Sequence, residues 1–126
     1  MRWQRMGRLF CSNGEYDWMQ SHAAVPVAEH ISADLYRIYF NCRDRENRSF
    51  VGYVVVDLNR PQDILELSRH PVLSPGDTGL FDDSGTSLGS LVQTSEQRRL
   101  YYLGWTLAVT VPWLSLIHIS EPTRLH

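Results

Sequence analysis

Nine consecutive residues, Phe50-Val51-Gly52-Tyr53-Val54-Val55-Val56-Asp57-Leu58, most restrict what this chain can fold into. Successive valines lose side-chain freedom in a helix and pack well on a pleated surface, so this run predicts a strand. Residues 35–40, Leu-Tyr-Arg-Ile-Tyr-Phe, alternate and are rich in aromatic and β-branched side chains, which predicts a second. Residues 25–31 read as a shorter strand in which Pro26 limits pairing, and residues 64–68 as another, bounded by His70-Pro71. Ser32-Ala33-Asp34, the polar run 43–48, Asn59-Arg60-Pro61 and the loop 74–79 separate them. Residues 3–17 show no period and read as an N-terminal strap with a turn at Asn13-Gly14. No stretch longer than a turn calls for a helix, so the expected fold class is all-β.

The series starts again after Phe81-Asp82-Asp83-Ser84-Gly85. Residues 87–92 form a small-residue strand and 95–97 a turn, and residues 100–105, Leu-Tyr-Tyr-Leu-Gly-Trp, echo Arg37-Ile38-Tyr39-Phe40. A displacement of roughly sixty residues suits a repeating four-stranded unit such as a propeller blade. In an up-and-down sheet, the start of the first strand, the end of the second and the start of the third share one edge. His22, Arg43, Asp44, Arg48, Asp82, Asp83 and Trp105 are therefore expected to gather at one end of the molecule.

The chemistry of that set suits a polyol. Carboxylates and guanidinium groups give directional hydrogen bonds to hydroxyls, and an indole offers an apolar platform to the C–H face of a sugar. Asp82 and Asp83 are candidate catalytic carboxylates; His22, Arg43, Asp44, Arg48 and Trp105 are candidate substrate contacts. Neighbours on an extended backbone point to opposite sides, so Asp82 and Asp83 do not act on each other: one faces the ligand and the other caps the loop. Each residue also has a purely structural reading. The aspartates can cap a turn, the Arg43/Asp44/Arg48 group can form a charged hairpin tip, His22 can sit at a strand start, and Trp105 can pack at a rim.

A length of 126 residues fits one ordinary domain, and 43% hydrophobic with 21% charged residues is a globular composition. A formal net charge of −2 argues against a nucleic-acid or anionic-membrane partner. Every basic side chain other than histidine is arginine, the planar cation suited to carboxylate and sugar-edge contacts. Cys11 and Cys42 lack a metal-ligand spacing and make no disulfide framework, as expected of thiols in a reducing compartment. No cofactor or metal is expected. The basic N-terminus is followed by no apolar run or cleavage site, so the expected location is cytoplasmic.

Residues 114–124, Leu-Ser-Leu-Ile-His-Ile-Ser-Glu-Pro-Thr-Arg, match residue for residue the in-frame translation of a transposase-tagmentation adapter. Residues 114–126 are accordingly set apart from the fold as an adapter-derived artefact, and the native sequence is expected to run to about Trp113. The uncharged stretch from Leu100 to Ile119 has the length of a membrane span, but its last six residues belong to this segment and the part before them is strand-like.

Trp18, Ser21-His22-Ala23, Pro26, Arg37-Ile38-Tyr39-Phe40, Arg43-Asp44, Asn47-Arg48-Ser49, Gly52-Tyr53-Val54 and Phe81-Asp82-Asp83-Ser84-Gly85 together resemble glycoside-hydrolase-like five-bladed β-propellers related to the glycoside hydrolase 43, 32 and 130 groups. The resemblance covers residues 7–113. It implies an N-terminal fragment of a five-bladed β-propeller, about one and a half four-stranded antiparallel blades. The first blade would span about 18–70, and residues 80–113 would open the second. A sugar pocket is implied where the innermost strands begin. In the active hydrolases a carboxylate stands on the first blade's innermost strand; this chain has His22 there, which puts two-carboxylate hydrolysis in doubt. Asp83, or Asp82, matches the second-blade carboxylate, and a general acid would lie beyond Trp113. The expected function is that of a fragment of a glycosidase or related glycan-processing enzyme, itself inactive. The alternative, favoured by His22, is a non-catalytic glycan-binding propeller associated with polysaccharide biosynthesis. Carbohydrate or glycoconjugate is the implied partner. With no third strand after Gly85, the second unit is expected to leave an open edge and make the chain poorly soluble.

Overall fold

A computed structural model describes residues 1–107 and the backbone of residues 115–122. All regular structure in the described residues is β: β1 (Ser21–Ser32), β2 (Leu35–Arg43), β3 (Ser49–Asp57), β4 (Glu66–Leu67), β5 (Gly85–Gln93), β6 (Gln97–Trp105) and β7 (Ser115–Pro122). They form one mixed, open sheet in the order β1-β2-β3-β5-β6-β7, with β4 beside β3.

The first four strands make an antiparallel meander. Pairing of β2 with β3 is unbroken from Leu35↔Asp57 to Arg43↔Ser49, as alternating, β-branched sequences on both strands favour. The β1–β2 hairpin closes through Ala33, whose φ of 46° lies in the left-handed region that tight hairpin turns use. The expected fourth strand is reduced to two residues. Pro71 has no N–H to donate, so the outer edge of β3 is satisfied piecemeal: Tyr53 N–H donates to Ser68 Oγ (2.9 Å), and Val51 pairs with Leu73.

The second meander, β5-β6-β7, is also antiparallel. Here the expectation of a hairpin without a third strand is corrected, because residues 115–122 run beside β6 from Gln97↔Pro122 to Gly104↔Ser115. A strand edge offers unpaired N–H and C=O groups that any extended segment can satisfy. This pairing therefore follows from the edge of β6 and says nothing of where the segment comes from.

The two meanders meet at one parallel pair, Ser49↔Gly85. Two hydroxyls reinforce it: Ser49 Oγ donates to the Thr86 carbonyl (2.8 Å), and Thr86 Oγ1 donates to the Ser49 carbonyl (3.2 Å), both among buried residues. Above this seam the faces of the two units pack together. Tyr39, Val51 and Leu73 of the first meet Leu88, Leu100 and Tyr102 of the second. The other face of the first unit buries Phe40, Cys42, Val54 and Val56 under the N-terminal strap, which contributes fully buried Met19 together with Phe10, Tyr16 and Trp18. A Cβ at Gly52 would crowd the Trp18 ring, so the strap's anchor depends on that position. Burial and neighbouring acids push the Cys42 thiol up to about 12, which makes it an inert core side chain.

One polar group lies within the inter-unit core. Arg98 of β6 reaches Glu29 of β1 with two hydrogen bonds, Nε to Oε2 (3.0 Å) and Nη2 to Oε1 (2.8 Å). Its Nη2 also donates to the Tyr39 hydroxyl (2.8 Å), which in turn donates to Glu29 Oε1 (3.1 Å), and Arg37 Nη1 pairs with the same oxygen at 3.3 Å. Burial, then the Glu29 charge, raises the Tyr39 phenol and keeps it protonated. The Arg98 and Glu29 side chains are only 10% and 12% exposed, so removing Glu29 leaves Arg98 and Arg37 without their carboxylate. Glu29→Ala is expected to lower unfolding free energy by about 3 kcal/mol, and the triple substitution Glu29→Leu/Arg37→Leu/Arg98→Met, which removes every charge of the cluster, to recover most of that loss. Denaturant melts of the three proteins measure both effects.

Candidate functional site

The strand registers assemble one continuous row at one end of the sheet: Ser21↔Arg43, Arg43↔Ser49, Ser49↔Gly85 and Gly85↔Trp105. It crosses β1, β2, β3, β5 and β6, and brings the predicted positions of both units to one edge. Beside it opens a cavity of about 290 Å³ lined by His22, Ala24, Val25, Asn41, Arg43, Ser49, Ser87 and Trp105. Three of the seven expected site residues, His22, Arg43 and Trp105, thus share one pocket.

Its wall on β1 is irregular. The register skips between Ser21 and Ala24 and again between Ala24 and Val27, so each interval carries one extra residue. His22 and Val25 absorb the extra length at φ of 66° and 50°. A β-branched residue in the left-handed region is costly, more so before a proline, where the preceding backbone is confined to extended conformations. The bulges turn His22 and Val25 toward the cavity, and His22 Nδ1 is 2.8 Å from Ser21 Oγ. On the opposite wall the Trp105 indole lies against Gly85, where a Cβ would collide with the ring. Asn41 joins the walls: its Nδ2 donates to Ser87 Oγ at 2.7 Å, from β2 to β5. The Asn41 Oδ1 atom is buried and has no hydrogen-bond partner.

The remaining expected residues sit at the same end but are engaged locally. Asp44 Oδ1 accepts from the N–H groups of Glu46 and Arg48, and Oδ2 takes the Arg48 guanidinium at 2.9 Å, which closes the β2–β3 turn. Asn47 takes the left-handed conformation there (φ 64°), and its carbonyl accepts from Arg43 Nη1 at 3.2 Å. Asp44 and Arg48 thus follow their hairpin-tip reading. Asp82 is buried and accepts from the Tyr102 hydroxyl at 3.3 Å. Burial, then the Asp82 charge, raises that phenol. Asp83 accepts from Gly79 N–H (2.9 Å) and Ser84 Oγ (3.1 Å). Hydrogen bonds from Thr106, then from Gly79, hold its carboxyl below the usual range. The two side chains diverge, one into the core and one over the loop, and neither lines the cavity.

Asn41 and Ser87 were not among the expected site residues. The signal available was register: Asn41 is two positions before Arg43 on the same face of β2, and Ser87 is two after Gly85. Among the described residues, no three His, Cys, Asp or Glu side chains gather in a way that would hold a metal ion. No described helix is long and apolar enough to cross a membrane.

No family profile matches the chain, and no solved structure matches it. It is similar to two proteins of Mycobacterium tuberculosis, "Uncharacterized protein MT1551" of strain CDC 1551 / Oshkosh and "Uncharacterized protein Rv1502" of strain ATCC 25618 / H37Rv. Each is 51% identical over 120 residues, which is 95% of this chain and 40% of the relative. The chain therefore spans less than half the length of the curated relatives it matches.

The lowered carboxyl of Asp83 fixes a sign. Its stabilisation is present above the ordinary aspartate range and is lost as pH falls through the lowered folded value. Asp83→Asn is expected to flatten the fall in stability below about pH 4, as followed by circular dichroism during acid titration. An acid limb identical to that of the parent chain contradicts the loop-capping role.

Proposed function

We propose that this chain is part of a carbohydrate-binding β-propeller, and that the pocket between its two four-stranded-type units holds a sugar. The observation that carries the reading is the composition of the cavity beside the seam. An indole face, a side-chain amide with a free buried acceptor, two hydroxyls, an imidazole and a guanidinium surround a volume in the range of a monosaccharide or disaccharide unit. Sugars bind to such combinations through C–H contact with an aromatic face and directional hydrogen bonds to hydroxyls. Two meanders repeated at about sixty residues and packed face to face are consistent with adjacent propeller blades.

Of the two functional readings, the non-catalytic binder has the better support. Hydrolysis of a glycosidic bond by the common route needs carboxylates on either side of the scissile bond. The described pocket lining holds none, His22 occupies the first-blade position, and Asp82 and Asp83 are committed to the core and the loop. A glycan-binding role in polysaccharide assembly fits this arrangement. The activity of the longer protein would depend on groups contributed by sectors outside these residues.

Binding is tested by saturation-transfer NMR of the chain against a panel of plain oligosaccharides. Transfer to ring C–H protons is expected, together with a loss of affinity of about tenfold or more in Trp105→Ala, the usual scale for removing an aromatic platform. No transfer from any glycan, or unchanged affinity in Trp105→Ala, overturns the reading.

A further inference from the structure

The chemistry of the pocket narrows the ligand further, and this step rests on the carbohydrate reading above. We infer that the site takes an acidic sugar, one carrying a carboxylate or phosphate, with Arg43 receiving the anion and the Asn41 carbonyl receiving a ligand hydroxyl. Three observations on separate residues converge on this.

The first is charge. Arg37, Arg48 and Arg98 each have a carboxylate partner, at 3.3, 2.9 and 2.8 Å. Arg43 has none among the described residues; its one hydrogen bond there runs from Nη1 to the neutral Asn47 carbonyl. No Asp or Glu belongs to the described lining of the cavity. A guanidinium left with free donors in a partly enclosed, acid-free pocket is electrostatically complementary to an anion, and its planar fork matches a carboxylate or phosphate. The nearest acidic side chain on the same turn, Asp44, is committed to Arg48 and to two backbone N–H groups.

The second observation is the Asn41 amide. Its Nδ2 donates to Ser87 across the seam, and Oδ1 is left as a buried acceptor with no donor. Buried polar atoms are nearly always paired, and an orphan acceptor at a cavity wall is where a ligand O–H belongs. A simple carboxylate offers Oδ1 no donor at neutral pH, and inorganic phosphate, which keeps a P–OH, has no C–H face to set against an indole. A hydroxylated anion satisfies both groups at once. The third is Trp105, whose ring on Gly85 gives the apolar face that a pyranose C–H edge requires and a small inorganic anion does not.

The test compares matched ligands on the whole chain by isothermal titration at low salt: maltose, the corresponding glucuronate-containing disaccharide, glucose 6-phosphate and inorganic phosphate. The acidic sugars are expected to bind about tenfold or more tightly than maltose, the scale of one charge-assisted hydrogen-bonded contact, with the preference shrinking as salt is raised. The glucuronate and phosphate arms show which anion the fork prefers. Arg43→Gln should abolish the preference, so that acidic and neutral sugars bind that variant alike, while Arg43→Lys should restore part of it. Asn41→Ala should weaken acidic and neutral sugars alike. Thermal melts that match the parent show that each variant is folded. Equal affinity for maltose and the acidic sugars overturns this inference and leaves the carbohydrate reading standing. Binding of inorganic phosphate as tight as that of the sugar phosphate overturns it as well, because the polyol would then contribute nothing. Absence of binding by every sugar overturns both.

Discussion

The structure depends on a seam one residue pair wide. Ser49 and Gly85 are the only parallel partners that join the two antiparallel meanders among the described strands, and a single pair supplies little ladder energy. What holds the units in register is the reciprocal exchange between the hydroxyls and carbonyls of Ser49 and Thr86, sealed from water, and the apolar faces that close above it. A buried hydroxyl that both gives and receives is demanding: moving either strand by one residue would strand two polar groups in the core. The bidentate Arg98–Glu29 contact acts at a distance from the seam, so the two units are fixed at two places and cannot hinge freely about one.

The pocket is a consequence of that geometry. Its floor is the cross-strand row through the seam; one wall is the bulged start of β1, and the other is the Trp105 ring lying over Gly85. Asn41 and Ser87 face each other only because their strands belong to different units brought side by side. The strained residues His22 and Val25 occur on the pocket wall, where backbone strain is commonly retained for the sake of a site. The second unit contributes the aromatic surface and the first contributes the charge, so neither has the whole site.

Much of the architecture was legible in the residues. The valine run of β3, the alternation of β2 and the aromatic echo in β6 each stated a strand through local sterics, and direction alternation then put His22, Arg43 and Trp105 at one end. What could not be read was anything decided by partners distant in sequence. The bulges of β1 show only as Pro26 in a strand-like run; their number and place follow from the fit against β2. Glu29 and Arg98 are ordinary charged residues on their own strands and become a buried clamp only when the units pack. The adjacent aspartates look alike in sequence, yet Asp82 turns to Tyr102 and Asp83 to a loop amide, since the turns of this loop leave backbone donors that a nearby carboxylate can satisfy. The outer strand is shorter than the apolar run 64–68 suggests, because Ser68 and Leu73, which finish the bonding of the β3 edge, lie on either side of Pro71.

The central claim is that two meanders close on one another through the Ser49–Thr86 seam and so build a pocket that neither contains alone. Nuclear Overhauser spectroscopy of the whole chain tests it most directly, since Asn41 and Ser87 are in hydrogen-bonding contact across the seam and belong to different units. The account predicts strong cross-peaks between the Asn41 side-chain amide protons and the Ser87 Hβ protons, alongside the cross-strand Hα contacts within each unit. Intact cross-strand contacts inside both units with no signal linking Asn41 to Ser87 would contradict it.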